Sequence, residues 1–169
     1  MSAIIPPKPR VPSSGKYRLS IVAAKFNQEF TDALVENVVQ EIESLVANAR
    51  VDLIRVPGAF EIPVTVNEVI EQEEPDCVIA LGCIIRGNTA HAELVANSVT
   101  DQLQRIAVDR KTPVIHEVLL VEDEKQAYAR CIGQKLNRGR EAARSALEMI
   151  TIMKEVRRTN QNTRLQPSN

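Results

Sequence analysis

The segment Arg86-Gly87-Asn88-Thr89-Ala90-His91 places a cation, a flexible joint, two small polar residues and one of the chain's two histidines between an apolar run and an amphipathic stretch. A helix starting here offers unpaired backbone N–H groups and the positive end of its dipole. A phosphate suits that position, held by the Thr89 hydroxyl and adjacent N–H groups, and Asn88 or Thr89 is also suited to cap the helix. His91 then falls in the first turn, on the helix side of Val95 and Val99, where it could act as a general base. Gly-Asn-Thr is equally ordinary strand-to-helix punctuation, and a histidine in a first turn is often structural. The segment alone leaves both readings open.

Other loops carry the same ambiguity. In Val56-Pro57-Gly58-Ala59-Phe60-Glu61-Ile62-Pro63, Pro-Gly is a common turn and Phe60 could belong to the core. Glu61 is favoured at a helix start whatever the function. Phe26 can be core and Asn27 a helix cap. Arg130 and Arg138 read equally well as solvated helix charges. Cys83 lies inside an apolar strand, where thiols are inert, so a hydrolase using Cys83 and His91 has the wrong environment for its nucleophile. No Gly-x-Gly-x-x-Gly follows the first apolar run, and there is no Gly-x-x-x-x-Gly-Lys-Ser/Thr or Gly-x-Ser-x-Gly. Dinucleotide, P-loop and the commonest serine hydrolase chemistries are therefore disfavoured.

The elements that must hold these loops alternate. Apolar runs at 18–26, 51–58, 76–85 and 113–120 read as strands, the third apolar throughout and so covered on both faces. Helical patterns occupy 31–46, 61–72, 89–110, 122–131 and 137–156. In the first, Leu34, Val38, Ile42 and Leu45 form the buried stripe, with Glu36, Glu41 and Glu43 pointing away. In the third, Val95, Val99, Leu103 and Ile106 share one side. The alternation predicts an α/β fold, a parallel sheet with helices on both faces and ligands at the carboxyl ends of the strands.

The bulk properties agree with one domain: 169 residues, 44% hydrophobic and 25% charged, with net charge −1. That charge points to neither nucleic acid nor an anionic membrane, and no apolar run approaches the roughly 20 residues that span a bilayer. Three cysteines, an odd number with no Cys-x-x-Cys pair, fit buried thiols in a reducing compartment, so a cytoplasmic location is expected. A zinc site would have to recruit both histidines from distant positions. Residues 1–16 contain four prolines and no acidic residue, and read as an extended or disordered N-terminal arm. Residues 17–156 read as the single domain, and 157–169 as a polar C-terminal tail.

Five segments, in order and at their separations, resemble the 6,7-dimethyl-8-ribityllumazine synthase family: Lys-Phe-Asn at 25–27, the 56–63 loop, Ala80 to His91, Gln126 to Arg130, and Asn137 to Met149. The resemblance covers about residues 18–152. It implies a flavodoxin-like, three-layer αβα sandwich with a four-stranded parallel sheet of order 2-1-3-4. It also implies a transferase of riboflavin biosynthesis that condenses 5-amino-6-(D-ribitylamino)uracil with 3,4-dihydroxy-2-butanone 4-phosphate, without metal or organic cofactor.

Family roles follow by position. Phe26 resembles the ring that stacks on the pyrimidine, with Asn27 beside it. Ala59, Phe60 and Glu61 resemble the loop that holds the ribityl chain, and Cys83, Ile84 and Ile85 the pyrimidine pocket wall. Gly87, Asn88 and Thr89 would cradle phosphate with Arg130, and His91 is similar to the proton-transfer histidine. Arg138 is a further candidate. The resemblance also implies a homopentamer with sites between subunits, assembly of some members into sixty-subunit icosahedral shells, and association with riboflavin synthase.

The chain departs from the family pattern in the fourth strand. His116-Glu117 stands where Phe-Gly is common, so His116 would replace an aromatic wall of the pyrimidine pocket. Leu119-Leu120 replaces the more usual Leu-Thr, and Gln134 and Arg138 stand where lysines are common. These changes suggest a rival reading, a shell-forming or ligand-binding relative without turnover. The retained Glu61, His91 and Arg130 argue against it. Arg86 has no assigned role beyond bracing the loop or a subunit contact.

Overall fold

A computed structural model describes residues 5–12 and 15–164. Among these residues the chain forms four strands and five α-helices: β1 (Tyr17–Ala24), α1 (Gln28–Leu45), β2 (Ala49–Val56), α2 (Ile62–Glu73), β3 (Cys77–Ile85), α3 (His91–Arg110), β4 (Val114–Val121), α4 (Glu124–Cys131) and α5 (Arg138–Arg164). A single 3-10 turn, Ala59–Glu61, leads into α2. All strand pairings are parallel and the order is β2-β1-β3-β4, as expected.

The strand sequences account for that order. β3 is apolar throughout and β1 is apolar apart from Arg18 and Ser20, and both are buried along nearly their whole length. Strands of this kind belong in the middle of a sheet covered on both faces. β2 and β4 alternate less completely, remain half-buried and form the edges. One apolar cluster joins the sheet to α1, α4 and α5, through Leu34, Val38, Ala127, Ala143 and Leu147. A second joins the opposite face to α2 and α3, through Ile62, Val66, Val99 and Leu103. The result is the expected three-layer sandwich.

The end of the last helix and one helix face differ from the sequence reading. Helix α5 continues to Arg164, past residue 156, and Arg157 donates to the Lys111 carbonyl at 2.8 Å. A stretch without an apolar stripe can prolong a helix that packing has already nucleated. Residues 5–12 have no regular secondary structure but lie on their own chain. Arg144 donates to the Pro6 carbonyl, the Tyr17 hydroxyl donates to the Pro12 carbonyl at 2.9 Å, and Val11 packs against the first cluster.

Glu41, expected on the solvent face of α1, is 8% exposed. Its Oε1 lies 2.7 Å from Arg144, and Arg140 approaches its other oxygen at 4.0 Å. Helix α5 covers this part of α1, and a buried carboxylate is tolerated because the covering helix brings arginine to it.

The close packing of α1 on α5 depends on Gly139. A Cβ there would meet Asn37 Cβ at 2.7 Å and the Leu34 carbonyl oxygen at 2.8 Å. Backbone carbonyls on a packed helix cannot move aside independently, so overpacking displaces the whole helix. Gly139→Ala should destabilise the fold by about 1–3 kcal/mol in urea unfolding, against the small gain alanine brings to an open helix position.

Candidate active site

Parallel strands with helical crossovers bring their carboxyl-terminal loops to one end of the sheet. The loops after β1, β2 and β3 there enclose a cavity of about 530 Å³. A space of that size accommodates a small organic ligand. Its lining includes Phe26 and Asn27 from the first loop, Pro57 to Glu61 from the second, and Cys83 to Ile85, Gly87, Thr89, His91 and Val95 from the third.

Two of its aromatic rings are solvent-facing: Phe26 is 71% exposed and Phe60 62% exposed. Neither belongs to an apolar cluster, so the core role that each residue could have had is absent. Exposed rings lining a cavity offer flat apolar surfaces to a planar ligand.

Asn27 holds two walls together. It occupies the left-handed region (φ 54°, ψ 50°) just before α1, a conformation asparagine tolerates better than most residues. Expected as a helix cap, it makes no side-chain bond to α1. Its Nδ2 instead donates to the Cys83 carbonyl at 2.8 Å, across to the end of β3. The left-handed kink turns the side chain from its own helix toward the neighbouring strand.

Glu61 Oε2 accepts the Gly58 N–H at 2.8 Å, which closes the 3-10 turn on itself and fixes the carboxylate at the cavity rim. Pro63 follows in the first turn of α2, where its missing N–H costs no helix bond.

Helix α3 begins at His91, with Ala90 as its N-cap and no side-chain hydrogen bond at that end. Neither Asn88 nor Thr89 caps it, although both residue types are suited to do so. Its first-turn N–H groups and positive dipole end remain open to a ligand at the Gly87–Thr89 loop. His91 is exposed on the cavity side, one turn before the half-buried Val95. Asn88 is exposed beside the cavity and is not among the residues lining it.

Cys83 is buried at the cavity floor, where its sulfur accepts from the Cys131 thiol at the end of α4, a contact that lowers the Cys83 pKa against the effect of burial. That contact, together with burial, pushes the Cys131 thiol well above its ordinary range. Among the described residues no three His, Cys, Asp or Glu side chains converge as a metal site would require.

His116, Arg130 and Arg138 do not line the cavity of their own chain. His116 faces α3, its Nε2 3.0 Å from Thr100 Oγ1, and burial lowers its pKa. Arg130 is half-buried on α4, with Nη1 3.4 Å from the Gln126 carbonyl. Arg138 is buried at the start of α5 and ion-paired with Glu141.

The comparisons with known proteins cover the same region. The family model described as 6,7-dimethyl-8-ribityllumazine synthase matches residues 16–154. A 6,7-dimethyl-8-ribityllumazine synthase of Methylibium petroleiphilum is 41% identical over 140 residues, 82% of this chain and 85% of the relative. Those of Thermococcus kodakarensis and Stenotrophomonas maltophilia are 39% and 37% identical, over 83% and 87% of this chain and 88% and 94% of their own lengths. The chain belongs to the 6,7-dimethyl-8-ribityllumazine synthase family. It is thereby a transferase of riboflavin biosynthesis, the activity its family carries. No helix among the described residues is long and apolar enough to cross a membrane.

Within this lumazine synthase fold, Glu117 is a residue whose environment sequence reasoning did not assign. It lies on β4 next to His116, with Arg138 and Glu141 of α5 near it. Burial pushes its carboxyl from the ordinary 4.5 up to about 8, with Arg138 opposing the rise and Glu141 adding to it. Only the packing of α5 over β4 creates that environment, so no local pattern could signal it.

In the window between 4.5 and about 8 the native chain then binds one more proton than the unfolded chain, so stability falls as pH rises. Glu117→Gln should flatten that decline, read as the change in urea midpoint between about pH 5 and the upper end of the window. Equal slopes in wild type and variant would mean that Glu117 is ionised in the native state throughout.

Proposed function

We propose that this chain forms 6,7-dimethyl-8-ribityllumazine from 5-amino-6-(D-ribitylamino)uracil and 3,4-dihydroxy-2-butanone 4-phosphate in the cavity at the end of the sheet. The observation that carries this reading is the convergence of two exposed phenylalanine rings, a fixed carboxylate, an uncapped helix N-terminus and an exposed histidine in one space.

The pyrimidine stacks on Phe26 and lies along Cys83, Ile84 and Ile85, with Asn27 bracing the wall. The ribityl chain lies along Ala59 and Phe60, its hydroxyls donating to Glu61. The phosphate of the four-carbon substrate sits at Gly87, Asn88 and Thr89, on the N–H groups of α3. Amine attack on the ketone gives an imine and releases water. Elimination then expels phosphate, and the ribitylamino nitrogen closes the ring with loss of a second water. His91 carries protons between the reacting nitrogen and oxygen atoms.

Most of the acceleration comes from holding two substrates in register, and proton transfer adds about 10²–10⁴-fold. Residues 17–156 are the catalytic unit in this reading. His116, Arg130 and Arg138 lie off the cavity of their own chain, which suits a homopentamer in which β4, α4 and the start of α5 serve a neighbour's pocket. Arg130 then binds the neighbour's phosphate, with Arg138 as a further candidate. Larger icosahedral assembly, association with riboflavin synthase and a cytoplasmic setting belong to the same proposal.

Purified chain mixed with both substrates should form lumazine well above the uncatalysed rate, followed by absorbance. Product at the background rate would favour a binding or shell-forming role instead. His91→Ala should lower kcat by about 10²-fold, the lower end of what positioned proton transfer contributes. Light scattering should show at least a pentamer, and a fully active monomer would overturn the shared-site part of the reading.

A further inference from the structure

Arg86 heads the phosphate loop yet does not line the cavity. Its backbone N–H donates to the Val121 carbonyl at 2.9 Å, continuing the β3–β4 ladder one residue beyond the end of β3. Its side chain then makes two ion pairs with different elements. One is with Glu93, in the first turn of α3; the other joins Nε to Glu122 at 2.9 Å, the residue after β4.

These contacts enclose the whole loop. Between Arg86 and Glu93 the chain runs through Gly87, Asn88, Thr89, Ala90 and His91, all exposed, before Ala92 turns inward. A Cβ on Gly87 would meet nothing within 4 Å, so packing does not hold the backbone there. No side chain caps α3 either. A loop that must present N–H groups to an anion while lacking packing and a cap needs another restraint. The guanidinium supplies it, because its planar fork can donate to two carboxylates at once.

We propose that Arg86 is a positioning residue. Clamped between Glu93 and Glu122, it fixes the Gly87–Thr89 loop and the His91 ring relative to the sheet and to the β4–α4 junction. This rests on the reading of that loop as the phosphate cradle. Both carboxylates and the guanidinium are more than a third exposed, so the clamp adds little to global stability. Its effect is local order. Arg86 does not itself bind phosphate, since it would have to leave both carboxylates and enter a cavity that it does not line. A lysine keeps the charge but presents a single ammonium in place of the fork.

The test uses the full-length chain and the variants Arg86→Ala, Arg86→Lys and Glu122→Gln. In Arg86→Ala, the urea midpoint should stay near wild type, while amide hydrogen exchange over residues 86–92 accelerates by about tenfold and β1 and β3 are unchanged. The KM for the phosphorylated four-carbon substrate should rise about tenfold, with that for the pyrimidine within about twofold. Arg86→Lys should restore less than half of the loss on a logarithmic scale. Glu122→Gln combined with Arg86→Ala should be no worse than Arg86→Ala alone, as expected for residues acting through one contact.

Unchanged exchange over 86–92 in Arg86→Ala would overturn the clamp, whether or not the chain turns over. Accelerated exchange with both KM values unchanged would overturn the positioning role. Wild-type chain that forms no lumazine would overturn the function reading instead, with hydrogen exchange still deciding the clamp.

Discussion

The structure depends on β1 lying between β2 and β3 in a parallel sheet. That adjacency places three loops, far apart in sequence, side by side at one end. Parallel pairing requires each crossover to pass over a face of the sheet, and the helices that do so bury β1 and β3 on both sides. The Asn27 bond to the Cys83 carbonyl then ties the first loop to the third, at a site where a helix cap would otherwise be expected. Position, more than any single group, makes the cavity.

Two kinds of polar restraint divide the labour. Buried ones set the layers: Glu41 with Arg144 joins α1 to α5, and Asn137 receives the Arg140 N–H at 3.0 Å as α5 begins. Less buried ones set the loops: half-buried Glu61 on Gly58, and exposed Arg86 on Glu93 and Glu122. The exposed Arg86 pairs contribute little to global stability, yet they hold backbone that has little packing of its own. A site able to bind an anion on open N–H groups must leave those groups uncapped, and so needs its order from elsewhere.

Glu117 and Arg138 show how one buried acid sets demands on its neighbours. A carboxyl on β4 under α5 lies in a poorly hydrated position. Arg138, ion-paired with Glu141, lies nearby and partly offsets the cost. An acid on β4 and an arginine on α5 thus meet at one layer boundary. Glu117 meets that cost by keeping its proton up to about pH 8, whereas the Arg138 charge is matched by Glu141.

Much of the molecule was legible in the sequence. Runs such as Cys77–Ile85 and the stripe of Leu34, Val38 and Ile42 report burial directly, because hydrophobic periodicity is set by local geometry and by which face meets the core. The loop residues of the cavity were legible through their order and spacing. Other features were not. Glu41 read as solvent-facing, Asn27 and either Asn88 or Thr89 as helix caps, and Arg86 as a brace for the loop or a subunit contact whose partners the sequence did not name. Three of those fates depend on a partner between seven and more than a hundred positions away: Glu93 for Arg86, Cys83 for Asn27, Arg144 for Glu41. Periodicity records whether a side chain is turned inward. Only the folded chain decides what it meets there, because those partners come together through the sheet order and the packing of the helices upon it.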